Sequence, residues 1–326
     1  VLKTSISDLY AIEHMSETPA FMEALKLLCK DADLVVASHP YLYPAIREVY
    51  RGNMYYEAHN VELDMKRDIL GDLEAVKPWL SLVDATEAAC ARESVGISVC
   101  SAEDGLRLRE LYDLTDSSIS VVPNGVELAA VPNIGLRSRL RAVERLGPRA
   151  APAAVFMGSW HGPNIDAVAF IVEKLAPKLA NMEFWVIGSV CHYDFGTLPG
   201  NIVFFGQLSD SDKNSVLSCA RVAINPVATG SGSNLKMAEY IAAGLPVLST
   251  PFGCRGLDIA GAAGVFQAEM GDFPENLQKV VNQSTDSALN AMSAHIHSAE
   301  GVGYDWQGSA MSLSEHMVMV CAKCSD

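Results

Sequence analysis

Short apolar runs alternate with segments of helical period along this chain. Phe21–Lys30 gathers its apolar residues on one helical face. "DLVVAS" (Asp33–Ser38) is a nearly unbroken apolar run of strand length, and "NMYYEAHN" (Asn53–Asn60) is a second that ends in polar residues. A long helical region is predicted from about Leu63 to Glu93, then a strand at "GISVCS" (Gly96–Ser101) and a helix at Ala102–Leu111. "SISVVPNGV" (Ser118–Val126) reads as a strand broken at Pro-Asn-Gly. The second half repeats the rhythm. Its predicted strands are Ala153–Ser159, Glu183–Ser189, Ile202–Gly206, Val222–Val227, Pro246–Thr250 and Gly264–Ala268, with helices such as Asn164–Leu179 and Asp210–Cys219 between them.

Apolar strands alternating with helices predict parallel sheets covered on both faces. The expected fold class is α/β, with two Rossmann-like doubly wound domains. A length of 326 residues exceeds what one core usually organises. The expected boundaries are a first domain over 1–130, a linker rich in Arg, Pro and Ala over 131–150, a second domain over 151–303, and a terminal helical segment over 304–326 that returns to the first domain. Ligands of such folds sit beyond the carboxyl ends of the strands. Functional weight therefore falls on His59–Glu62, Gly158–Pro163, Gly188–Val190, Gly206–Leu208 and Pro226–Asn234.

Composition narrows the classes. A hydrophobic fraction of 49% with 19% charged residues describes a globular chain. The net charge of −15 argues against a nucleic-acid partner and against a broadly basic membrane surface. No apolar run reaches the roughly 20 residues of a membrane span, and the residues from Val1 onward do not read as a signal peptide. Membrane association is expected to be peripheral at most, and the expected location is the cytoplasm. The eight cysteines are scattered in mostly apolar surroundings, as buried thiols of a reducing compartment are. Cys321 and Cys324 form a lone C-x-x-C without a partner pair, which gives no support for a zinc or redox site.

The most informative stretch is "INPVATGSGSNLKMAEYIAAGLPVLST" (Ile224–Thr250), which leaves a strand, crosses a Gly/Ser loop and enters a helix near Asn234. Free N–H groups and the macrodipole make a helix start attractive to anions, and glycines admit close approach. Gly230, Ser231, Gly232, Ser233 and Asn234 with Lys236 are thus candidates for a phosphate site. The same residues also read as a turn and cap, with Lys236 and Glu239 paired three apart on a solvated face. Gly244 and Pro246 mark the helix end. The loop is not a Walker loop, because GxxxxGK[ST] is absent.

The order "VVPNGVE", "VFMGSWHGPN", "FWVIGS", "IVFFGQLSD" and "VAINPVATGSGSNLKMAEYIAAGLPVLST" resembles retaining glycosyltransferases of the GT-B fold, of the group 1 or family 4 type. The likeness extends back through "ADLVVAS", "YYEAHNVE" and "ISVCSAEDGLRL" and forward to "YDWQGSAMSL". It implies a cleft that takes a nucleotide-diphosphate sugar, UDP or GDP, and a carbohydrate or lipid-linked acceptor, without a metal cofactor. It places the diphosphate on Gly230–Asn234 and Lys236, the ribose on Glu239, the base beside Gly206 and Leu208, and phosphates near Gly158 and Ser159. It places His59 in the first domain facing the sugar, to hold donor or acceptor hydroxyls.

This sequence departs from the family pattern in three ways. The first carboxylate of the family's glutamate pair falls at Ser231. The basic residues that often follow the first glycine are not evident in "GSWHGPN". The likeness begins part-way through the first domain, so its early elements are expected to be absent. These departures keep alive a catalytically weak nucleotide-sugar-binding protein, or another GT-B enzyme such as an epimerase.

Other candidates carry less. Asp31 and Asp33 spell D-x-D but precede a strand, where a metal pair belongs at a strand end. His295 and His297 are two apart on a predicted helix and do not share a face. Trp160, His161 and Asn164 follow a strand end, either to line the donor pocket or, for Asn164, to start the next helix.

Overall fold

The computed structural model describes residues 6–71, 73–114, 119–127, 131, 152–230, 234–256, 264–285, 287–289, 291 and 305–323. Most of the expected linker, together with Ser231, Gly232, Ser233, His295, His297 and Cys324, lies outside them. Two compact units result. One comprises Val1–Pro123 with Ser309–Asp326, and the other comprises Asn124–Gly308.

The first unit is built on a parallel sheet in the order β1 (Val35–Ala37), β2 (Met54–Ala58), β3 (Gly96–Val99), β4 (Ile119–Val121). Side chains alternate between sheet faces, so neighbours Tyr55 and Tyr56 point opposite ways. Both are fully buried. Tyr56 donates to Glu87 on the Lys77–Glu93 helix at 3.0 Å. Tyr55 lies 2.6 Å from Nδ1 of His316 on the terminal Trp306–Lys323 helix. The centre of the sheet is therefore covered on both faces, as the apolar runs predict, while Val36 of β1 and Val121 of β4 are exposed.

One predicted element is corrected here. The single helical region Leu63–Glu93 is two helices, Glu62–Leu70 and Lys77–Glu93. Gly71 ends the first at φ +71, a left-handed backbone that L side chains disfavour. Pro78 in the first turn of the second lacks the N–H that a continuous helix needs.

The second unit holds a six-stranded parallel sheet in the order β10-β9-β8-β5-β6-β7. The strands are β5 (Ala153–Met157), β6 (Glu183–Ile187), β7 (Ile202–Gly206), β8 (Val222–Asn225), β9 (Val247–Ser249) and β10 (Val265–Gln267). Along β5, Ala154 and Phe156 enter the core on one face, while Ala153, Val155 and Met157 enter the core on the other. From β5 the chain runs outward through β6 and β7, then returns past β5 to β8, β9 and β10. The carboxyl ends of β5 and β8 form the switch point where connections diverge. The fold is thus the α/β, doubly wound class read from the sequence.

Candidate functional site

The switch point of the second unit opens into a cleft of about 560 Å³. Its walls come from the loops that leave the carboxyl ends of β5, β6, β7 and β8 and from the Leu235–Ala242 helix. Gly158, Ser159, Leu208, Gly230, Asn234, Lys236 and Glu239, all singled out from the sequence, line it. Gly206 ends β7 just behind the wall, and its successors Gln207 and Leu208 face the cleft. His161 and Asn164 also line it, but Trp160 is 56% exposed and packs edge-on against Tyr193.

The first wall exists because glycines let two strand ends meet. Gly188 has φ +110, and a Cβ there would lie 2.1 Å from the carbonyl oxygen of Gly158. That carbonyl accepts from the N–H of Val190 at 3.2 Å. Any side chain at Gly188 would force β5 and β6 apart at the floor of the cleft.

The helix that carries the charge is fixed at both ends of its buried face. Tyr240 is fully buried, and its hydroxyl accepts the Met157 N–H at 2.6 Å, tying the helix to the end of β5. Lys236 is four residues earlier, so it lies on the same face. At the far end the N–H groups of Gly244 and Leu245 return to the carbonyls of Ile241 and Tyr240, which closes the helix as a Schellman motif. This is the ending that Gly244 and Pro246 predict.

Lys236 is half-buried in a polar-poor setting. Its Nζ donates to Oδ1 of Asn164 at 2.5 Å and lies 4.4 Å from the centre of the Phe156 ring. Asn164 is aimed by its own amide, which donates to the Ser159 carbonyl at 3.0 Å. Among the described residues no carboxylate partners Lys236. Burial pushes its ammonium down to about 7. A half-buried ammonium without a carboxylate partner, at a helix start, is a site prepared for an anion.

The expected Lys236–Glu239 pair does not form. Glu239 instead accepts from Lys213 at 3.0 Å, and Lys213 also lies 3.3 Å from Asp210. The reason is geometric: Lys236 turns inward over Phe156, while Glu239, three residues on, faces the first turn of the Asp210–Cys219 helix. Lys213 and Asp210 are the functional candidates that the sequence reading missed. The available signal was their place just beyond a predicted strand end.

His59 lies in the first unit, directly after β2. It is 3.6 Å from Glu57 and stacks on His39 with ring centres 5.0 Å apart. Hydrogen bonding to Cys100 and to Glu57 lifts it to about 10, so the ring is a cation at neutral pH. Hydrogen bonding to His59, helped by Ser38, in turn holds Glu57 below the usual carboxylate range. Beside it Glu62 is fully buried, accepting from Tyr41 and facing His39 at 2.9 Å. Glu62 also begins the Glu62–Leu70 helix. Asp31 and Asp33 are exposed ahead of β1. Among the described residues no three metal-ligating side chains cluster, and no helix is long and apolar enough to cross a membrane.

Residues 151–286 match the family described as "Glycosyl transferases group 1". The chain is 24% identical over 135 residues to the phosphatidyl-myo-inositol mannosyltransferase of Mycolicibacterium smegmatis, a match covering 40% of this chain and 33% of that protein. The matched segment thus spans about a third of that relative. The fold is shared more widely. Sucrose-phosphate synthase from Thermosynechococcus elongatus superimposes with a TM-score of 0.73 at 15% identity, over 95% of this chain and 80% of that one. HepE from Anabaena, in complex with UDP and glucose, gives 0.67 at 13% identity over 94% and 83%. WaaG, a glycosyltransferase involved in lipopolysaccharide biosynthesis, gives 0.59 at 17% identity over 83% and 80%. These likenesses carry the GT-B fold to this chain.

Proposed function

We propose that this chain is a glycosyltransferase that moves a hexose-like sugar from a nucleoside-diphosphate donor to an acceptor hydroxyl, with retention of configuration. The observation that carries this reading is Lys236: an ammonium without a carboxylate partner, held over Phe156 at a helix start, at the switch point of a parallel sheet. A diphosphate supplies the missing counter-charge. The group 1 match over the same unit, and the UDP in the HepE structure, support a nucleoside diphosphate as the ligand.

In the reaction the bond between the anomeric carbon and the β-phosphate oxygen breaks, and a bond to the acceptor oxygen forms on the same face. Negative charge grows on the leaving phosphate. Lys236⁺ and the helix-start N–H groups near Asn234 stabilise it by being in place beforehand. The departing phosphate oxygen takes the acceptor's proton, so no protein nucleophile is needed. Gly158 and Ser159 lie along the phosphates, Leu208 and the Gly206 turn along the base, and Glu239 along the ribose. The cation at His59 backed by Glu57 suits the hydroxyl groups of an acceptor, carbohydrate or lipid-linked. Charge neutralisation rests on protein groups, without a metal. Nucleic acid has no part in this reading, and the cytoplasm is the proposed location.

The test is calorimetric titration with UDP, GDP and ADP, followed by donor turnover and product analysis with the matching sugar nucleotides. Tight binding by one of the three, with a product that keeps the donor's anomeric configuration, is expected. No binding by any of them refutes the reading. A second reading, a nucleotide-sugar-binding protein without turnover, is favoured by Ser231 standing where the family carries a glutamate. Binding without turnover in the same assays selects it.

A further inference from the structure

The cleft has two chemically distinct ends on one helix. Lys236 marks an end that wants negative charge, and Glu239 marks an end that repels it. The two residues are three apart, a rise of about 4.5 Å. A ligand that fits both must place an anionic group against Lys236 and hydrogen-bond donors against Glu239, one short step away. Lys213 resolves the electrostatic conflict between the ends. Its ammonium meets Oε2 of Glu239 at 3.0 Å and Oδ1 of Asp210 at 3.3 Å, and offsets part of the negative charge that the two carboxylates would otherwise direct at the bound anion. Lys213 and Glu239 side chains are 25% and 33% exposed, and both line the cleft.

We propose that Lys213 and Glu239 act together as a pair that reads the ribose hydroxyls of the nucleoside diphosphate, with Lys213 as a specificity-determining residue. This rests on the donor reading above and goes beyond it, because Lys213 has no place in that reading. An ammonium has three N–H donors, and two are directed at Glu239 and Asp210. The third is available to a hydroxyl oxygen of the ligand. Glu239 keeps Oε1 to accept from a hydroxyl hydrogen. One cis-diol therefore meets a donor and an acceptor side by side, and Lys213 holds the Glu239 carboxylate in the orientation that makes this possible. A ligand lacking one hydroxyl leaves a half-buried charged group without its partner, which is how sites discriminate strongly against a missing hydroxyl.

The experiment compares UDP, GDP and ADP with their 2′-deoxy and 3′-deoxy forms by calorimetry, for wild type, Lys213→Met, Lys213→Gln and Lys213→Arg. Thermal unfolding of each variant confirms the fold. The wild type is expected to bind the ribonucleotide about tenfold or more tighter than one deoxy form. In Lys213→Met and Lys213→Gln that preference is expected to shrink to about twofold, through weaker ribonucleotide binding with little change for the deoxy form. Lys213→Arg, which keeps the charge and donors, is expected to restore much of it. Equal weakening of both forms would reduce Lys213 to general electrostatics and overturn the proposal, as would unaltered discrimination. Absence of any nucleoside-diphosphate binding by wild type overturns the donor reading itself, a different result from binding with unchanged discrimination.

Discussion

Replacing Lys236 with Met tests the phosphate assignment from three sides. Methionine keeps the packing on Phe156 and removes the charge. In the ligand-free protein Lys236 titrates near 7, against 10.5 for a free lysine. A bound diphosphate restores the charged form. At pH 8 about 0.1 of the side chain is protonated before binding and nearly all of it after, so binding takes up about 0.9 proton. Phosphate groups are already fully ionised at that pH, with a second pKa near about 6. Calorimetry at pH 8 in buffers of different ionisation enthalpy reads this uptake directly. Affinity should fall about fivefold between pH 7 and pH 8, as the protonated fraction drops from about a half to about a tenth. Lys236→Met should show neither effect. Its turnover should fall on the order of 10² to 10³, the range for losing one preorganised donor to a developing anion, about 3–4 kcal/mol. Stability gives the third readout. Between pH 7 and 10.5 the unfolded chain holds a proton on Lys236 that the folded chain does not, so the contribution of this side chain to stability rises with pH across this window, opposite in sign to that of His59. Lys236→Met should abolish that slope and raise Tm at pH 6 while weakening the ligand. Proton uptake that survives in Lys236→Met, or unchanged turnover, would refute the assignment.

Further outcomes follow from other contacts. Gly188→Ala sets a Cβ 2.1 Å from the Gly158 carbonyl oxygen at a φ of +110; thermal unfolding should show a loss of at least about 2 kcal/mol. Tyr240→Phe strips the Met157 N–H of its buried partner, and should cost about 1–3 kcal/mol in denaturant unfolding and weaken nucleotide binding by loosening the helix under Lys236. His59, raised to about 10 from an ordinary 6.5, contributes stability that is complete below about 6.5 and is lost as pH rises towards about 10; His59→Gln should flatten that part of the stability–pH curve. Exhaustive chelation with EDTA should leave turnover unchanged, because the leaving charge is met by Lys236 and helix-start amides.

Much of the fold was legible because the central strands of each unit are buried on both faces, and such strands read as apolar runs whatever their neighbours. The break at Gly71 was hidden by helical periodicity that continues on both sides of it, so only the glycine and Pro78 marked it. Seven of the cleft residues were legible because they stand at strand ends or at the helix start, where topology alone concentrates ligands. Lys213 was not. Its meaning depends on Glu239, which lies 26 residues away in sequence and comes within 3.0 Å only through packing of two helices. The inward turn of Lys236 was equally invisible, because spacing says which face a residue occupies but not whether its neighbour across the sheet is Phe156 or a carboxylate.

The departures from the family pattern form a consistent set when counted as charge. A carboxylate is missing at Ser231, and the basic residues expected after Gly158 are missing from "GSWHGPN". The losses have opposite sign, so they offset one another in part. At the other end Lys213 stands against both Glu239 and Asp210 and offsets part of the charge they bring to the space a phosphate would enter. Lys236, which has no carboxylate partner among the described residues, and a helix start then face the anion. A cleft with fewer charges of both signs can hold a diphosphate as well as one with more, because the cost of burying each group falls along with the attraction it provides. The serine that first argues against activity is, on this count, the expected companion of a reduced set of cations.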